Sequence, residues 1–495
     1  MSAATTSGVD VRIAPGIVRG SWRGEAGTPG ASAAFLGIPF ALPPVGDLRF
    51  AAPAPVPAWD GVRDATAFGA TPQRGDTGIT LIPEPSVPGE STLNLNVFTP
   101  RPDETAPAMP VLVYIHGGGF VSGSPASPWY DGASFARDGV VTVTVSYRLG
   151  FDGFGDIPGA PGNRGVRDWL AALEWVQENI HAFGGDPGRV TIAGQSAGGG
   201  AVLTLLGMPA AQHLFHAAWS MSGPLRDIPL ERAQALSVEM ARLAGVPATR
   251  AGFATLSEER VSELQRQVAA PASTSALGPI VSMIEDGLAW GPMIDGDLIP
   301  RPTIASIRDG VGADKPLVLG ATDDEFTMVT DAMTGDIDLA AALRLRLKDG
   351  LSLERYLEDN RAQQAKGDAA MLGRFVSDAV FRSAVVRVAR ARAGAPTWVY
   401  RFTWPSPTFR WALHCIDVPF WFDCLTAPGV PAIAGDAPPP ALADAVHGSA
   451  VALIGHGDPG WLPWSQEPGA TRMFDADAAT GDIRLDGYAS VEALV

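Results

Sequence analysis

The sequence predicts an α/β fold, in which helices cover both faces of a central, mostly parallel, twisted sheet. Short apolar or β-branched runs typical of buried strands occur at residues 111–115, 140–147, 189–193, 316–320 and 398–404. Helical spacing of apolar residues separates these runs, most clearly at 166–179 and 378–393. Strands that alternate with helices favour a parallel sheet, because each crossover helix packs on one face of it.

The rest of the chain is predicted to be irregular or helical. Residues 35–73 are rich in proline and are expected to form loops. Residues 225–290 and 326–375 are less strand-like and richer in Ala, Arg and Glu, so we expect them to be helical insertions that form a cap over a pocket. We find no linker-like segment, and we predict a single domain over 1–495.

Composition restricts the classes of partner. The chain has 495 residues, of which 46% are hydrophobic, so a large core can be buried. Its 36 Lys and Arg residues against 53 Asp and Glu residues give a formal net charge of −17. Such a surface repels phosphate backbones and anionic lipid heads. We therefore expect neither a nucleic-acid nor a membrane partner.

The cysteine count and the first residues indicate the compartment. Two cysteines, Cys415 and Cys424, are too few for a disulfide framework. The N-terminus lacks the basic start and apolar run of a secretory signal, so we expect a cytoplasmic location. Residues 190–225 carry no Asp, Glu, Lys or Arg, but glycines, glutamines and Pro209 interrupt them. We interpret that stretch as two buried elements joined by a turn.

Ser196 is the candidate nucleophile. It lies in the sequence Gly-Gln-Ser-Ala-Gly at 194–198, after a predicted strand and before a predicted helix. The serine must occupy a very tight turn, and the flanking glycines remove side chains that would collide there. The helix start places N–H groups and a positive dipole end beside it. This context predicts the nucleophile elbow of the α/β-hydrolase fold, although a glycine-rich packing turn is the alternative.

The sequence His-Gly-Gly-Gly-Phe at 116–120 directly follows the strand predicted at 111–115. Its three glycines leave backbone N–H groups free to point at an oxyanion, which is typical of one half of an oxyanion hole. The amide of Ala197, the residue after the nucleophile, supplies the other half. We expect His116 to be structural rather than a base. A plain flexible loop is the alternative interpretation.

Chain order selects the base, because in this fold the acid and then the histidine follow the serine. The seven histidines are at positions 116, 181, 213, 216, 414, 447 and 456. The first two precede the serine, and the next two come before another strand can intervene. We interpret His447 and His456 as surface-loop residues, because Gly and Asp surround them. His414 is the predicted base, since it lies in a dense aromatic group that suits an apolar pocket.

The acid is expected where a strand between the serine and the histidine ends. The strand predicted at 316–320 is followed by Asp323, Asp324 and Glu325. The pattern of residues leaves all three open as the acid. The two that do not serve would cap a helix or lie in a solvated turn.

Longer motifs run through almost the whole chain. They are Phe-Leu-Gly-Ile-Pro-Phe-Ala-Leu-Pro-Pro-Val-Gly-Asp-Leu-Arg-Phe at 35–50, and the segments 93–97, 116–120, 147–148, 172–180, 183–187, 194–198, 291–296 and 456–459. In sequence and in order they resemble the type-B carboxylesterases, which include cholinesterases and bacterial para-nitrobenzyl esterases. The resemblance implies an α/β-hydrolase fold and hydrolysis of carboxylic esters.

The resemblance also assigns residues. The glutamate of the family's Asp-Glu-Gly motif falls on Glu325, and the family's histidine motif falls on residues 414–420, with Asp417 at its acidic position. The oxyanion donors fall on Gly118, Gly119 and Ala197. We expect the pocket and the residues around it to include a further set, namely Gln195, Phe120, His116, Ser222, Trp411 and Phe420.

Three departures from the family pattern matter. Gln195 stands where the family usually has Glu, which removes a negative charge and favours neutral over choline-type esters. Phe326 replaces the glycine that follows the acid in the family, so the backbone conformation at this position is expected to differ from the family's. Thr71 and Thr92 stand where many members have a disulfide, which fits a reducing compartment.

The sequence therefore predicts a serine carboxylesterase that hydrolyses neutral aryl or short- to medium-chain alkyl esters through an acyl-enzyme, with no cofactor and no metal. The expected partner is a small-molecule ester. The same triad would serve a carbamate or amide hydrolase or a lipase. A non-catalytic binding module is the alternative from another class, and the three filled triad positions argue against it.

Overall fold

The computed structural model describes residues 7–73, 81–270, 277–333, 337–476 and 482–495. Fifteen strands lie in these ranges: β1 (Gly8–Ile13), β2 (Gly16–Arg23), β3 (Ser32–Pro39), β4 (Val62–Asp64), β5 (Asn94–Thr99), β6 (Met109–Ile115), β7 (Val141–Val145), β8 (Gly185–Gln195), β9 (Ala217–Met221), β10 (Ile228–Pro229), β11 (Met293–Ile294), β12 (Leu317–Thr322), β13 (Thr397–Phe402), β14 (Thr471–Phe474) and β15 (Ile483–Arg484).

The central sheet has the strand order β1-β2-β3-β5-β7-β6-β8-β9-β12-β13-β14-β15, with β4 beside β2. The pairs from β7 through β6, β8, β9, β12 and β13 to β14 are parallel. The pairs from β1 to β7 and the last pair are antiparallel. The predicted mostly parallel sheet is therefore confirmed, and β8 lies in its centre.

Alternation along the central strands fills a core on each face of the sheet. In β6, Val111, Val113 and Ile115 belong to the larger buried cluster. Leu112 and Tyr114 belong to a second cluster. Successive side chains of a strand point to opposite faces, so both faces of this strand are covered. This double burial explains why the strand is one continuous apolar run.

Helices surround this sheet. Their bounds are α1 (Ala133–Arg137), α2 (Gly150–Phe154), α3 (Arg164–Asn179), α4 (Ala197–Leu206), α5 (Leu230–Ala244), α6 (Arg250–Ala254), α7 (Glu258–Ala269), α8 (Gly278–Glu285), α9 (Thr303–Arg308), α10 (Thr327–Asp331), α11 (Leu339–Leu343), α12 (Gly350–Asp359), α13 (Arg361–Gln364), α14 (Asp368–Ser377), α15 (Ser383–Ala391), α16 (Val418–Trp421), α17 (Val430–Ala434) and α18 (Pro440–His456). A π-helical turn, Asp378–Arg382, joins α14 to α15.

The two predicted insertions contain helices where they are described. Helices α5 to α8 lie within 225–290, and α10 to α14 lie within or at the end of 326–375. Residues 271–276 and 334–336 of these insertions lie outside the described residues. Their action as a cap and the single-domain organisation stay predictions. In the described ranges, none of the helices combines the length and the apolar character that crossing a membrane requires.

Three predictions about local structure are wrong. Residues 35–73 are not all loop, because β3 ends at Pro39 and β4 lies at Val62–Asp64. The uncharged stretch 190–225 contains a second strand, β9, besides the end of β8 and helix α4. His447 and His456 belong to helix α18, and His447 is buried against Asp138 and the Trp421 carbonyl. The Gly and Asp residues near these two histidines suggested a loop, but the alanines and leucines around them favour a helix, and α18 forms there.

Candidate active site

Four parallel strands bring the predicted nucleophile, oxyanion donors and acid to one edge of the sheet. Register places Ile115 beside Gly194 at the ends of β6 and β8. Gln195 lies beside Met221 at the ends of β8 and β9, and Met221 lies beside Gly320 near the end of β12. Because these ends are neighbours, the loops that follow them converge.

The turn after β8 has the conformation that the sequence predicts for an elbow. Ser196 has φ 58° and ψ −124°, a strained conformation for a residue with a side chain, and α4 begins at the next residue. Its N–H donates to the Met221 carbonyl at 2.9 Å. A Cβ atom on Gly194 or Gly198 would overlap neighbouring backbone, since Gly198 lies against the Ile115 carbonyl. Both glycines are therefore required by the close approach of the turn to β6.

The glycine loop after β6 lies directly against this turn. A Cβ atom on Gly117 would come 3.2 Å from Cβ of Ser196. Gly118 and Gly119 have φ of 107° and 62°, which turn the chain back on itself. The amide N–H groups of Gly118, Gly119 and Ala197 donate to no acceptor within the described parts of the chain. Three donors thus remain free beside Ser196.

Glu325 is the carboxylate that contacts the predicted base. Its Oε2 forms a short hydrogen bond with Nδ1 of His414. Its Oε1 accepts the Thr322 N–H at 2.9 Å, and its carbonyl accepts the His414 N–H at 3.0 Å. The glutamate side chain is fully buried. The two residues are therefore fixed to each other through both backbone and side chains.

The two aspartates before it have other partners. Asp323 pairs with Arg401, and Asp324 lies 3.0 Å from both Arg374 and Gln363. The arginines Arg401 and Arg374 outweigh burial and hold the pKa of Asp323 well below its usual range. These contacts separate Glu325 from the two alternatives that the residue pattern left open.

The electrostatics of His414 favour its charged form. Burial alone would lower the pKa of His414, but contacts with Cys415 and Glu325 outweigh it and raise that pKa well above its usual value. Burial raises the pKa of the Cys415 thiol, so the thiol is protonated at neutral pH. We therefore attribute the negative charge beside the imidazole to Glu325.

One cavity of about 310 Å³ connects these groups. Ser196, His414, Gln195, Ala197 and the glycines 117–119 all lie on its wall. The remaining wall is mainly apolar and consists of Leu81, Ile82, Glu84, Phe120, Tyr130, Pro224, Arg226, Met283, Gly287, Leu288, Phe326, Val380, Phe381 and Cys415. The volume suits a small organic molecule.

Two aromatic rings of this wall pack on the predicted base. The rings of Phe326 and Phe381 lie 5.3 and 5.0 Å from the His414 ring, and they stack on each other at 5.6 Å. Phe326 has φ −119°, so the residue that replaces glycine here adopts an ordinary backbone conformation. Phe381 lies in the π-helical turn, which directs it at the cavity.

Four residues predicted for the pocket and its surroundings do not line this cavity. Trp411 donates to Asp331 at 3.2 Å, and Phe420 packs on Phe402 and Trp404 in the second core. Ser222 is buried, and its N–H donates to Gly320. His116 stacks on Tyr147. Burial lowers the pKa of His116 to about 4, so it is neutral near pH 7.

Sequence reasoning missed several lining residues. Arg226 and Leu288 come from the first insertion, and Phe381 comes from the turn before α15. Arg226 follows β9, the strand that pairs with β8 on the side away from β6. Arg226 could have been predicted as a lining residue, because it is a charged residue that follows a strand next to the elbow. That inference required β9, which the sequence analysis did not identify within the uncharged stretch. Within the described ranges, no three His, Cys, Asp or Glu side chains come together in a way that could hold a metal ion.

Comparison with known proteins agrees with this geometry. Residues 7–434 match the profile of the carboxylesterase family. The chain belongs to the carboxylesterase family. It is 36% identical to the para-nitrobenzyl esterase of Bacillus subtilis over 404 residues, or 78% of each chain. It is 34% identical to the phenmedipham hydrolase of Pseudarthrobacter oxydans over 450 residues, or 86% of each chain.

The solved structures place this carboxylesterase-family chain in the same fold. The crystal structure of a Geobacillus stearothermophilus carboxylesterase at pH 6.2 superposes with a TM-score of 0.83 and 31% identity. The match covers 98% of this chain and 100% of the other. The predicted α/β-hydrolase fold and the resemblance to type-B carboxylesterases are confirmed.

Proposed function

We propose that this chain is a serine carboxylesterase that hydrolyses neutral carboxylic esters, aryl or short- to medium-chain alkyl, through an acyl-enzyme. The observation that carries the proposal is the joint presence of Ser196 and His414 on one cavity wall, with Nδ1 of His414 bonded to the buried Glu325. Membership in a family of named esterases supports the same chemistry.

In the first half-reaction, the Ser196 hydroxyl attacks the ester carbonyl and Nε2 of His414 takes its proton. The carbonyl π-electrons move to oxygen, which gives a tetrahedral oxyanion. Glu325 stabilises the imidazolium. The oxyanion then re-forms the carbonyl, the ester C–O bond breaks, and His414 donates its proton to the leaving alcohol. Water repeats these steps on the acyl-enzyme and releases the acid.

We assign the oxyanion hole to the amides of Gly118, Gly119 and Ala197. Their lack of another acceptor in the described structure supports this role, because an N–H group fixed in advance needs no reorganisation when charge develops. Ala197 is also the first residue of α4, so the positive end of the helix dipole adds to the field. Loss of one such donor typically costs about 10²–10³ in rate.

The substrate class follows from the wall. Apolar side chains dominate it, which favours aryl or alkyl groups over sugars. Gln195 contributes no negative charge beside His414, which favours uncharged groups over quaternary ammonium at this position. The expected partner is a small-molecule ester.

A cytoplasmic location is part of the proposal. Cys415 and Cys424 are both free. Threonines 71 and 92 occupy the two positions where many type-B carboxylesterases carry a disulfide. A chain without disulfides suits a reducing compartment.

Stoichiometric labelling tests the proposed nucleophile. Diethyl 4-nitrophenyl phosphate should release one 4-nitrophenolate per chain and leave a diethylphosphoryl group on Ser196, located by peptide mass spectrometry. The Ser196→Ala variant should release none, and a matched Ser222→Ala variant should release a full equivalent. A label on another residue, or release by Ser196→Ala, would contradict the assignment.

A further inference from the structure

A second cavity beside the candidate active site is lined by three arginines. It has a volume of about 110 Å³, and Arg226, Arg346 and Arg387 lie on its wall together with Ser383 and apolar side chains. The arginines come from three separate segments: the chain after β9, the chain after α11, and helix α15. Their convergence is notable because the whole chain is strongly acidic.

None of these three guanidinium groups has an acidic partner among the residues that the structure describes. Arg346 donates to the Ile284 carbonyl, and Arg226 and Arg387 form neither a hydrogen bond nor an ion pair with any residue that the structure describes. The nearest aspartate in sequence, Asp227, is bound instead to the N–H and hydroxyl of Thr303, at 2.7 and 2.6 Å. The cluster therefore carries positive charge that its own fold does not neutralise.

Arg226 is the member that is partly withdrawn from water. It is half-buried, and its side chain packs on the backbone of Gly287. Burial, together with repulsion by Arg346, Arg387 and Arg232, lowers the pKa of Arg226 to about 10, so it is still charged at neutral pH. A cation that is partly buried beside other cations is costly unless an anion joins it.

The arginine cavity adjoins the cavity that holds Ser196. Arg226 and Val380 line both. The chain that carries Arg226 also runs along the start of α4, because a Cβ atom on Gly200 would lie 2.8 Å from the Pro224 carbonyl. Arg226 and Val380 therefore form a common wall between the cavity that holds Ser196 and the arginine cavity.

We propose that the arginine cavity is a subsite for a carboxylate, and that esters with a free carboxylate remote from the reacting carbonyl are substrates of this chain. The inference rests on the proposed function and extends its substrates from neutral esters to anionic ones. Arginine suits this role, because its planar fork donates two hydrogen bonds to a carboxylate. Gln195 does not repel a carboxylate substrate, since the amide beside His414 carries no charge.

Half-esters of dicarboxylic acids test the proposal. The 4-nitrophenyl half-esters of glutaric, adipic and suberic acid are compared with the 4-nitrophenyl alkanoates of the same carbon number. For at least one length, Arg226→Gln should lower kcat/KM of the half-ester about 10-fold or more beyond any change in kcat/KM of the matched alkanoate, because only the half-ester loses a carboxylate contact. Arg387→Gln, on the exposed side of the cavity, should act in the same direction with a smaller effect.

Arg344→Gln is the matched control. Arg344 is exposed, lies two residues from Arg346 and lines neither cavity, so this variant should change neither class of ester. Adipate binding to Ser196→Ala, measured by calorimetry, gives a readout without turnover, and adding Arg226→Gln should weaken it by a similar factor.

The outcomes separate the two proposals. If the wild type turns over neither half-esters nor alkanoates, the proposed function fails. If it turns over alkanoates but Arg226→Gln changes both classes equally, or if adipate does not bind, the carboxylate subsite is overturned while the esterase stands. If adipate or inorganic phosphate changes the rate on alkanoates without an Arg226-dependent preference for half-esters, the cavity binds a separate anion and the subsite is also overturned.

Discussion

The side-chain amide nitrogen of Gln195 lies 3.2 Å from Nε2 of His414. That ring nitrogen is the one left free by Glu325, which holds Nδ1. A neutral amide therefore occupies the place beside the imidazole where the type-B pattern usually has a carboxylate. The contact positions the ring without adding charge to it.

Gln195→Glu should raise the pKa of His414 further, since a second carboxylate stabilises the imidazolium. A base must be neutral to accept a proton, so the acidic limb of the pH profile of kcat/KM should move to higher pH. Hydrolysis of a cationic choline ester should improve relative to a neutral ester of the same size. An unchanged acidic limb together with no gain on the cationic ester would count against this role of Gln195.

Glu325→Gln should lower kcat by about 10³–10⁴ near pH 7, because an amide that donates to Nδ1 leaves Nε2 protonated and unable to act as the base. Stopped-flow acylation with a 4-nitrophenyl ester measures the loss. Asp324→Asn is the comparison, since Asp324 contacts Arg374 and Gln363 rather than His414. Equal losses in both variants would contradict the choice of Glu325.

A pair of alanine substitutions tests the glycine loop. A Cβ atom on Gly118 would overlap the Ser122 backbone, whereas one on Gly119 would meet nothing closer than 3.8 Å. Gly118→Ala should therefore displace the oxyanion donors and lower kcat about 10²–10³-fold. Gly119→Ala keeps the N–H group in place, and its only cost is the strain of a positive φ in a residue with a side chain. The decrease in kcat should therefore be clearly smaller than for Gly118→Ala. The reverse order of the two losses would refute this account of the loop.

Asp417 makes stability depend on pH. Burial, reinforced by the nearby Glu325 charge, raises its pKa to about 7, and Tyr400 donates to it at 3.1 Å. The folded state thus holds this proton more tightly than the unfolded chain, so the contribution of Asp417 to stability is greatest at low pH and is lost as pH rises from about 4 to about 7.

Asp417→Asn removes the ionisable carboxyl and therefore the decrease in stability that its ionisation causes as pH rises. Relative to the wild type, the variant should gain about 4 kcal/mol in free energy of unfolding between pH 4 and pH 8. Urea unfolding at both pH values measures the gain. Asp60→Asn, an exposed change, should follow the wild-type trend. A constant difference between Asp417→Asn and the wild type would show that Asp417 does not titrate in this range.

The order of the site along the chain could be predicted because local rules determine it. The elbow glycines at 194 and 198 are required by a close approach to β6, and that requirement is visible as a short motif. The proposed acid, Glu325, needed more than its pattern of residues, because Asp323 and Asp324 differ from it through contacts with arginines that are distant in sequence. The resemblance to type-B carboxylesterases supplied what local spacing did not.

The pocket wall was harder to predict than the site. The aromatic residues 411 and 420 are close to His414 in sequence, but they pack away from the cavity. The rings that do face the base, Phe326 and Phe381, come from the acid loop and a π-helical turn. Tertiary packing determines whether an aromatic ring points into the cavity or into the core. The spacing of apolar residues over a short segment does not predict this direction.

Some strands of the fold could be predicted from the local sequence, and others could not. The parallel strands are continuous apolar runs because both faces of each are buried, so they stand out in the sequence. β9 was missed because it is only five residues long and lies in the uncharged stretch after α4, where it has neither a continuous β-branched run nor charged flanks. β3 was missed since it ends at a proline, and the loop composition after that proline dominates the segment.

The most direct test of the central claim is hydrolysis of 4-nitrophenyl esters from C2 to C16 by the wild type and Ser196→Ala, measured side by side. We expect the wild type to turn over short and medium chains, with a fall toward C16, and Ser196→Ala to lose at least about 10³-fold while remaining folded by circular dichroism. Comparable turnover by both proteins, or none by the wild type on any chain length, would contradict the assignment of a serine carboxylesterase.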